Sequence, residues 1–413
     1  QLDLARTACA MLAKLYLQEG FLCAIDDAIF PAWPPAGYEP MPAALSNADV
    51  IAGTLYGAGV RHAFGIPSGQ VLAIIEAMGK AGIEFGLVSH EGAAGFMADV
   101  MGRVSGIPGV AVATVGPGAT NLTTGIANAF LDRSPAIAIT GQVAVAQLHR
   151  RVQMRIDHQA LFAPITKASY QLLDSEHVPA VMRQALKCAT AEPPGPVHLD
   201  VPEDVAVAAA AEDSISASPN SRFQIPSTAK DLEQVLARLR GARKPIAALG
   251  FSLYRSCALP ELRRFLEANH LPFVTTNMAK GVLPEDHPLW LGVLGRARRA
   301  TIERFLAQAD LVVGIGYDPV EISYEEWLPK GMPVVHVSNE PADVDATVRV
   351  EQQAIGDIKG SLQQLAAEPG CANDWSDAAL ADFRRELERS IRLPGEGFQP
   401  WQALDIMREL LPA

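Results

Sequence analysis

Apolar residues along this chain fall into two alternating patterns. Short continuous runs, such as VAVAT at 110–114, AIAIT at 136–140 and LVVGIG at 311–316, have the length and branching of fully buried strands. Between them the apolar residues recur at helical spacing, as Phe96, Met97, Val100, Met101 and Val104 do on one face of a helix opening near Glu91. The pattern predicts strands at 62–65, 83–89, 110–114, 136–140 and 197–201, with helices from Ser46, at 70–78, from 91, from 119 and at 178–189. Ser46 and Asp49 have capping-box spacing, with Asp in place of the usual Glu, and Gly59 suits the end of that helix. A second series predicts strands at 246–250, 272–276, 311–316 and 334–337, with helices at 260–268 and 301–307. Strands alternating with helices imply an α/β chain of two doubly wound parallel-sheet domains, in which ligands gather beyond the carboxyl ends of the strands. His90-Glu91, Gly116-Pro117-Gly118 and Gly141-Gln142 each follow a strand-like run, so they are expected to share one rim.

Breaks in the pattern set the boundaries. The Ala, Ser, Asn and Pro of 207–229 show no periodicity and read as a linker between a first domain at 45–206 and a second at 230–368. Residues 1–44 read as a helical extension, LARTACAMLAKLYLQEGFLCAI, followed by the stiff connector PAWPPAGYEP. That extension is either sequence upstream of a natural start at Met41 or a docking helix. The polar loop from Gln142 to Phe162 is long enough to cover the rim.

Composition narrows the function. A net charge of -12 without a Lys/Arg stripe argues against nucleic acid, and RARR at 296–299 reads as a solvated helix start. Five scattered cysteines, at 9, 23, 188, 257 and 371, have no CxxC spacing and suit a reducing, cytoplasmic setting. No apolar run is long enough to span a membrane.

HEGAAGFMA from His90, GPGATNLTTGIANAFLDRSPAIAITGQ at 116–142, FGIPSGQ at 64–70 and PITK at 164–167 together resemble the pyrimidine-binding domain of thiamine-diphosphate enzymes, in particular the acetolactate synthase group. TTNMAKGVLPEDHPLWLG, ADLVVGIGYDPVE and IGDI at 355–358 resemble the Rossmann-like central domain of the same family, and GYDPVE is closest to its catabolic, flavin-free members. The similarity runs from near Leu45 to about Leu365. It implies decarboxylation of pyruvate or another 2-keto acid and ligation of the two-carbon unit to a second carbonyl compound, with thiamine diphosphate and Mg2+. The family's cofactor lies between subunits, so the resemblance also implies a homo-oligomer.

The same resemblance assigns roles residue by residue. Glu91 would share a proton with the N1′ nitrogen of the cofactor's aminopyrimidine and so promote loss of the thiazolium C2 proton. Gly116, Pro117 and Gly118 would let backbone approach a flat ring, Pro67 would line the pyrimidine site, and Asn121 and Gln142 would stand on the rim. Plainer roles exist for each of them. A first-turn Glu favours the helix dipole, GPG serves as an ordinary strand-to-helix turn, and Asn121 suits a helix cap. His90 reads as orienting its turn, and Asp318 and Glu321 as capping and solvating theirs rather than holding metal.

Three departures and one gap shape the expectation. Thirteen residues before Lys167 relatives carry a Gln that faces the reacting centre, where this chain has Met154 next to Gln153, so either the register slips by one or the pocket is more apolar. Four before Lys167 the flavin-binding members carry Arg, here Ala163, and VLGRARR stands where their glycine-rich flavin segment lies, which argues against FAD. The family grips the diphosphate through Mg2+ with GDG and paired Asn, and neither occurs in these 413 residues. Residues 369–413 are accordingly expected to be a linker and the start of a truncated diphosphate-binding domain, with no metal ligands in the chain and no activity from it alone. The alternatives are another thiamine-diphosphate decarboxylase or lyase, or a non-catalytic binding protein.

Overall fold

The chain enters its first sheet through a reciprocal cap. The Asp49 N–H donates to the Ser46 hydroxyl at 3.2 Å and the Ser46 N–H to the Asp49 carboxylate at 2.9 Å, so Asp does the work of the usual Glu at the start of α1 (Asn47–Gly57). The structure, a computed structural model, describes residues 45–211, 225–295, 300–368, 370–392 and 394–410. The expected helix and connector within 1–44, the middle of the linker at 212–224 and the run at 296–299 lie outside the described residues.

The first sheet is assembled from β1 (His62–Gly65), α2 (Leu72–Ala81), β2 (Glu84–Leu87), α3 (Glu91–Ser105), β3 (Gly109–Ala113), α4 (Pro117–Leu131) and β4 (Ala136–Gln142). It is completed by α5 (His158–Phe162), β5 (Ala168–Gln171), α6 (Val178–Thr190), β6 (Pro196–Pro202) and α7 (Glu203–Val207). Its order is β2-β1-β3-β4-β6-β5, all parallel. The second sheet is built from α8 (Ala229–Gly241), β7 (Pro245–Leu249), α9 (Ser252–Ser256), α10 (Leu259–Ala268), β8 (Phe273–Thr275) and β9 (Trp290–Val293). It continues through α11 (Ala300–Leu306), β10 (Leu311–Ile315), β11 (Pro333–Ser338), β12 (Arg349–Ile355) and α12 (Ile358–Ala367), in the parallel order β12-β11-β10-β7-β8-β9. Two doubly wound α/β sheets are therefore present. β3, β4, β6, β7 and β10 are buried along their whole length, the pattern of strands covered by helices on both faces.

α13 (Asp377–Ile391) sets Leu380, Phe383 and Leu387 into the second core, where Trp375 stacks on Phe305 at 4.6 Å. α14 (Pro400–Leu410) buries no residue. Among the described residues no helix is long and apolar enough to cross a membrane.

One helix departs from the expected packing. The face of α3 formed by Phe96, Met97, Val100, Met101 and Val104 is exposed, and α3 instead buries Gly92, Ala94, Gly95, Ala98, Asp99 and Gly102. The reason is a backbone-to-backbone contact with α4. A Cβ on Gly95 would lie 2.8 Å from the Gly125 Cα, and one on Gly125 would lie 2.5 Å from the Gly95 carbonyl carbon. Small residues win the inner face because only they permit that approach.

The two sheets are joined by ion pairs. Arg133, just after α4, donates from Nε to Asp318 Oδ2 at 2.5 Å and from Nη2 to Glu340 Oε2 at 2.8 Å, and Arg255 Nη2 meets Glu192 Oε1 at 2.9 Å. Asp318 also accepts the Val320 N–H at 3.0 Å, as expected of a turn cap, but it is buried in the Arg133 pair rather than solvated. Glu321 likewise accepts the Met278 N–H at 2.5 Å, and burial raises its pKa.

Candidate active site

Glu91 is the first residue of α3, placed there by an extended N-cap at His90 whose Nδ1 accepts the Gly92 N–H at 3.0 Å. That bond occupies the Nδ1 lone pair, so the His90 ring orients the turn. The Glu91 side chain is 7% exposed. Its Oε2 accepts a hydrogen bond from Asn121 Nδ2 at 3.0 Å, one turn into α4, while its Oε1 takes none among the described residues.

The GPG turn brings α4 against that carboxylate. Gly116 has φ +67°, and a Cβ there would lie 2.3 Å from the Met154 carbonyl oxygen, so the position excludes any side chain twice over. Pro117 supplies the first helical residue, where a missing N–H costs nothing. A Cβ on Gly118 would lie 2.8 Å from Thr114 Cγ2 and 3.3 Å from Glu91 Oε1. The glycine thus leaves open the space beside the free carboxylate oxygen. Thr114 donates to Gln70 Oε1 at 2.9 Å, which ties the end of β3 to the segment after the partly buried Pro67.

Glu91, Asn121 and the GPG turn come together as expected, and Pro67 lies at the same end of the sheet. Gln142 does not join them. It is the last residue of β4, its side chain is 1% exposed, and its Nε2 is turned to the Ile156 carbonyl at 3.3 Å and to Asp200 at 3.5 Å. Its expected place on the open rim is corrected to a buried one, because strand alternation puts it on the same face as Thr140.

That face carries a polar network that the sequence reading passed over. In register, Thr140 lies opposite Asp200, and Ser169 and Gln171 lie opposite His198 and Asp200. His158, from the polar loop, joins them: its Nδ1 is 2.8 Å from Asp200 Oδ1, and its Nε2 accepts the Gly116 N–H at 3.1 Å. Thr140 donates to Asp200 at 3.1 Å, His198 Nε2 reaches Thr140 at 2.8 Å, Ser169 meets His198 Nδ1 at 2.7 Å, and Gln171 donates to Asp200 Oδ2 at 2.7 Å. Burial lowers the His198 pKa to about 3 and keeps its ring neutral. Burial alone would raise the Asp200 carboxyl, but the hydrogen bond from His158 brings it below its ordinary value. His158, His198 and Asp200 have the composition of a metal site, yet each ring nitrogen already has a hydrogen-bond partner. The signal lay in the sequence as polar residues two apart on buried strands: Thr140 and Gln142, His198 and Asp200.

Lys167 serves the fold. Its Nζ donates to the carbonyls of Cys188, Ala191 and Pro193 at 2.6, 2.8 and 2.7 Å, closing the carboxyl end of α6, and burial lowers its pKa. Met154, also at positive φ (61°), lays its backbone on Gly116 and leaves its side chain 43% exposed.

This arrangement falls within two family matches. Residues 46–161 match the thiamine pyrophosphate enzyme N-terminal TPP binding domain, and residues 232–365 match the thiamine pyrophosphate enzyme central domain. Together they cover more than half of the chain, which belongs to the thiamine pyrophosphate enzyme family and, within it, is acetolactate synthase-like. It is 34% identical over 334 residues to a probable acetolactate synthase large subunit of Methanocaldococcus jannaschii, covering 78% of this chain and 56% of the relative. It is 30% identical over 373 residues to an acetolactate synthase of Bacillus subtilis, covering 88% and 65%. Against acetolactate synthase isozyme 1 large subunit of Escherichia coli it is 32% identical over 350 residues, covering 83% and 61%. The chain thus spans 56% to 65% of the length of these three relatives.

Proposed function

We propose that this chain supplies the pyrimidine-side half of a thiamine-diphosphate site that decarboxylates pyruvate or a similar 2-keto acid and ligates the product to a second carbonyl compound. The observation that carries this reading is the buried Glu91 carboxylate, with one oxygen held by Asn121 and the other free beside Gly118. Such a carboxyl fits a ring nitrogen that must gain and lose a proton, because low exposure strengthens a hydrogen bond to it and excludes competing water. Asn121 holds the carboxylate plane, Gly118 leaves room for a flat ring, and the GPG turn keeps both within reach of Glu91. When bound, thiamine diphosphate supplies the electron sink for decarboxylation.

Neither GDG nor paired Asn occurs in these 413 residues, so none of them is assigned to the Mg2+-diphosphate half. A homo-oligomer belongs to the same reading, supported by the exposed apolar face of α3, the helix that begins at Glu91. So do an independence from FAD, supported by Ala163 and VLGRARR, and a cytoplasmic location.

The test is Glu91→Gln in the assembled enzyme with Mg2+ and thiamine diphosphate. The substitution keeps volume and hydrogen-bond reach but removes the titrating proton. Turnover of pyruvate should fall by about 10^2 to 10^4-fold, more on kcat than on KM. Exchange of the C2 proton of the bound cofactor, followed by quench and NMR, should slow in parallel; unchanged exchange would show that Glu91 is only a helix-start residue. Following acetolactate, as acetoin after acid treatment, separates this reading from a simple decarboxylase.

A further inference from the structure

Gly116 presents a problem that the fold must solve. Its N–H is buried at a strand-to-helix turn and points away from any intrahelical acceptor, and a buried amide left without a partner is costly. The solution comes from 42 residues along the chain: His158 Nε2 accepts that N–H at 3.1 Å. Because Nε2 is the acceptor, the ring proton sits on Nδ1, which donates to Asp200 Oδ1 at 2.8 Å. Thr140 donates to the same oxygen and Gln171 to the other, so the Asp200 carboxylate is fixed in turn. Beyond it, Ser169 donates to His198 Nδ1 and His198 Nε2–H donates to Thr140, and the His198 ring stacks on Phe162 at 4.1 Å.

We propose that His158 is a positioning residue for the reaction, a strut that holds the Gly116 N–H on one ring nitrogen and Asp200 on the other and so fixes the turn that faces Glu91. The proposal rests on the reading that this turn borders the cofactor. Its physical content is one-directional: donors run from Gly116 to His158 and from His158 to Asp200, so the strut has a single tautomer and a single ring orientation. Gly118, two residues beyond the strut, lies beside the free oxygen of Glu91, where an added Cβ would stand 3.3 Å from Oε1. A displaced turn would therefore change the space where the reacting ring must sit.

Two measurements on the chain itself test the strut without any cofactor. Histidine-selective 15N NMR should show His158, assigned by loss of its signals in His158→Gln, with Nδ1 protonated and Nε2 bare; a proton on Nε2 overturns the proposal. Hydrogen exchange at Gly116 should accelerate roughly tenfold or more in His158→Phe, which keeps ring bulk but offers no acceptor. His158→Gln, whose amide both accepts and donates, should stay near the parent rate. Equal protection in His158→Phe and the parent overturns the strut. The assembled enzyme tests the link to chemistry: kcat should fall roughly ten- to a hundredfold in His158→Phe with KM for the 2-keto acid little changed, and His158→Gln should restore most of it. Faster exchange at Gly116 with unchanged kcat overturns the positioning role. A parent enzyme that binds no thiamine diphosphate refutes the functional reading instead, and leaves the strut to the exchange data.

Discussion

Asn121 decides which oxygen of Glu91 is available. Removing its amide in Asn121→Ala should leave the fold intact, since the residue is only partly buried and among the described residues its side chain makes one hydrogen bond, to Glu91. Turnover should fall about tenfold, the scale of a lost hydrogen bond to a charged group. Asn121→Asp should be worse than Ala, because it sets a second carboxylate about 3 Å from the first. Comparing kcat and melting temperature of the two variants checks the order, and equal activity would show that Asn121 merely fills space. Glu91 and the GPG turn were legible in the sequence because each stands directly after a buried apolar run. His158 and Gln142 were not, since what places them is strand register and a loop without periodicity. Lys167 was legible as part of a motif but not as a structural group, because its three carbonyl partners end a helix that begins eleven residues later.

At the scale of elements, the buried strands announce themselves, while of the edge strands only β2 does. β3, β4 and β10 are unbroken apolar runs, whereas the edge strands β5 and β12 are partly exposed, carry no such run and were not predicted. α3 misled in the opposite way, since its large apolar residues mark the outward side. The inner side follows from the Gly95–Gly125 contact, and it yields a prediction. Gly125→Ala inserts a methyl where the nearest backbone carbon is 2.5 Å away, so the helices must part. Overpacking of this kind costs about 1–3 kcal/mol, to be read as a lowered denaturant midpoint. In the isolated monomer, changes on the outer face, such as Val104→Ser at 81% exposure, should leave the midpoint within about 0.5 kcal/mol.

The molecule as a whole depends on Arg133 and on two neutral histidines. Arg133→Met removes one of the two cations that bridge the sheets and leaves Asp318, 6% exposed, without its counter-charge. Breaking a pair this buried costs about 3–5 kcal/mol when one partner remains, and calorimetry should then resolve two transitions where the parent shows one. Burial lowers the pKa of His198 to about 3 and that of His336 to about 4. Both lie below the unfolded value of about 6.5, so the unfolded chain takes up protons first as the pH falls. Their contribution to stability is complete above about pH 6.5 and is lost progressively down to about pH 4 for His336 and about pH 3 for His198. Asp132, Glu321 and Glu340, raised mainly by burial, titrate in the opposite sense. The measurement is therefore a comparison: His336→Gln should lose about 2 kcal/mol less stability than the parent between about pH 7 and 5 in urea titrations. Parallel slopes would show that His336 is not the group concerned.

The contact between Gly95 and Gly125 also sets a mechanical tolerance. One helix begins with the carboxylate and the other carries the amide that holds it, and at the Gly95–Gly125 contact no side chain intervenes. Backbone meets backbone at that point, and Asn128 Nδ2 donates to Asp99 Oδ2 at 2.7 Å further along the same pair of helices, so neither axis can shift without displacing the other. The distance between the helix that carries Glu91 and the helix that carries Asn121 is then set by the closest approach of two glycine backbones, with no side chain there to yield.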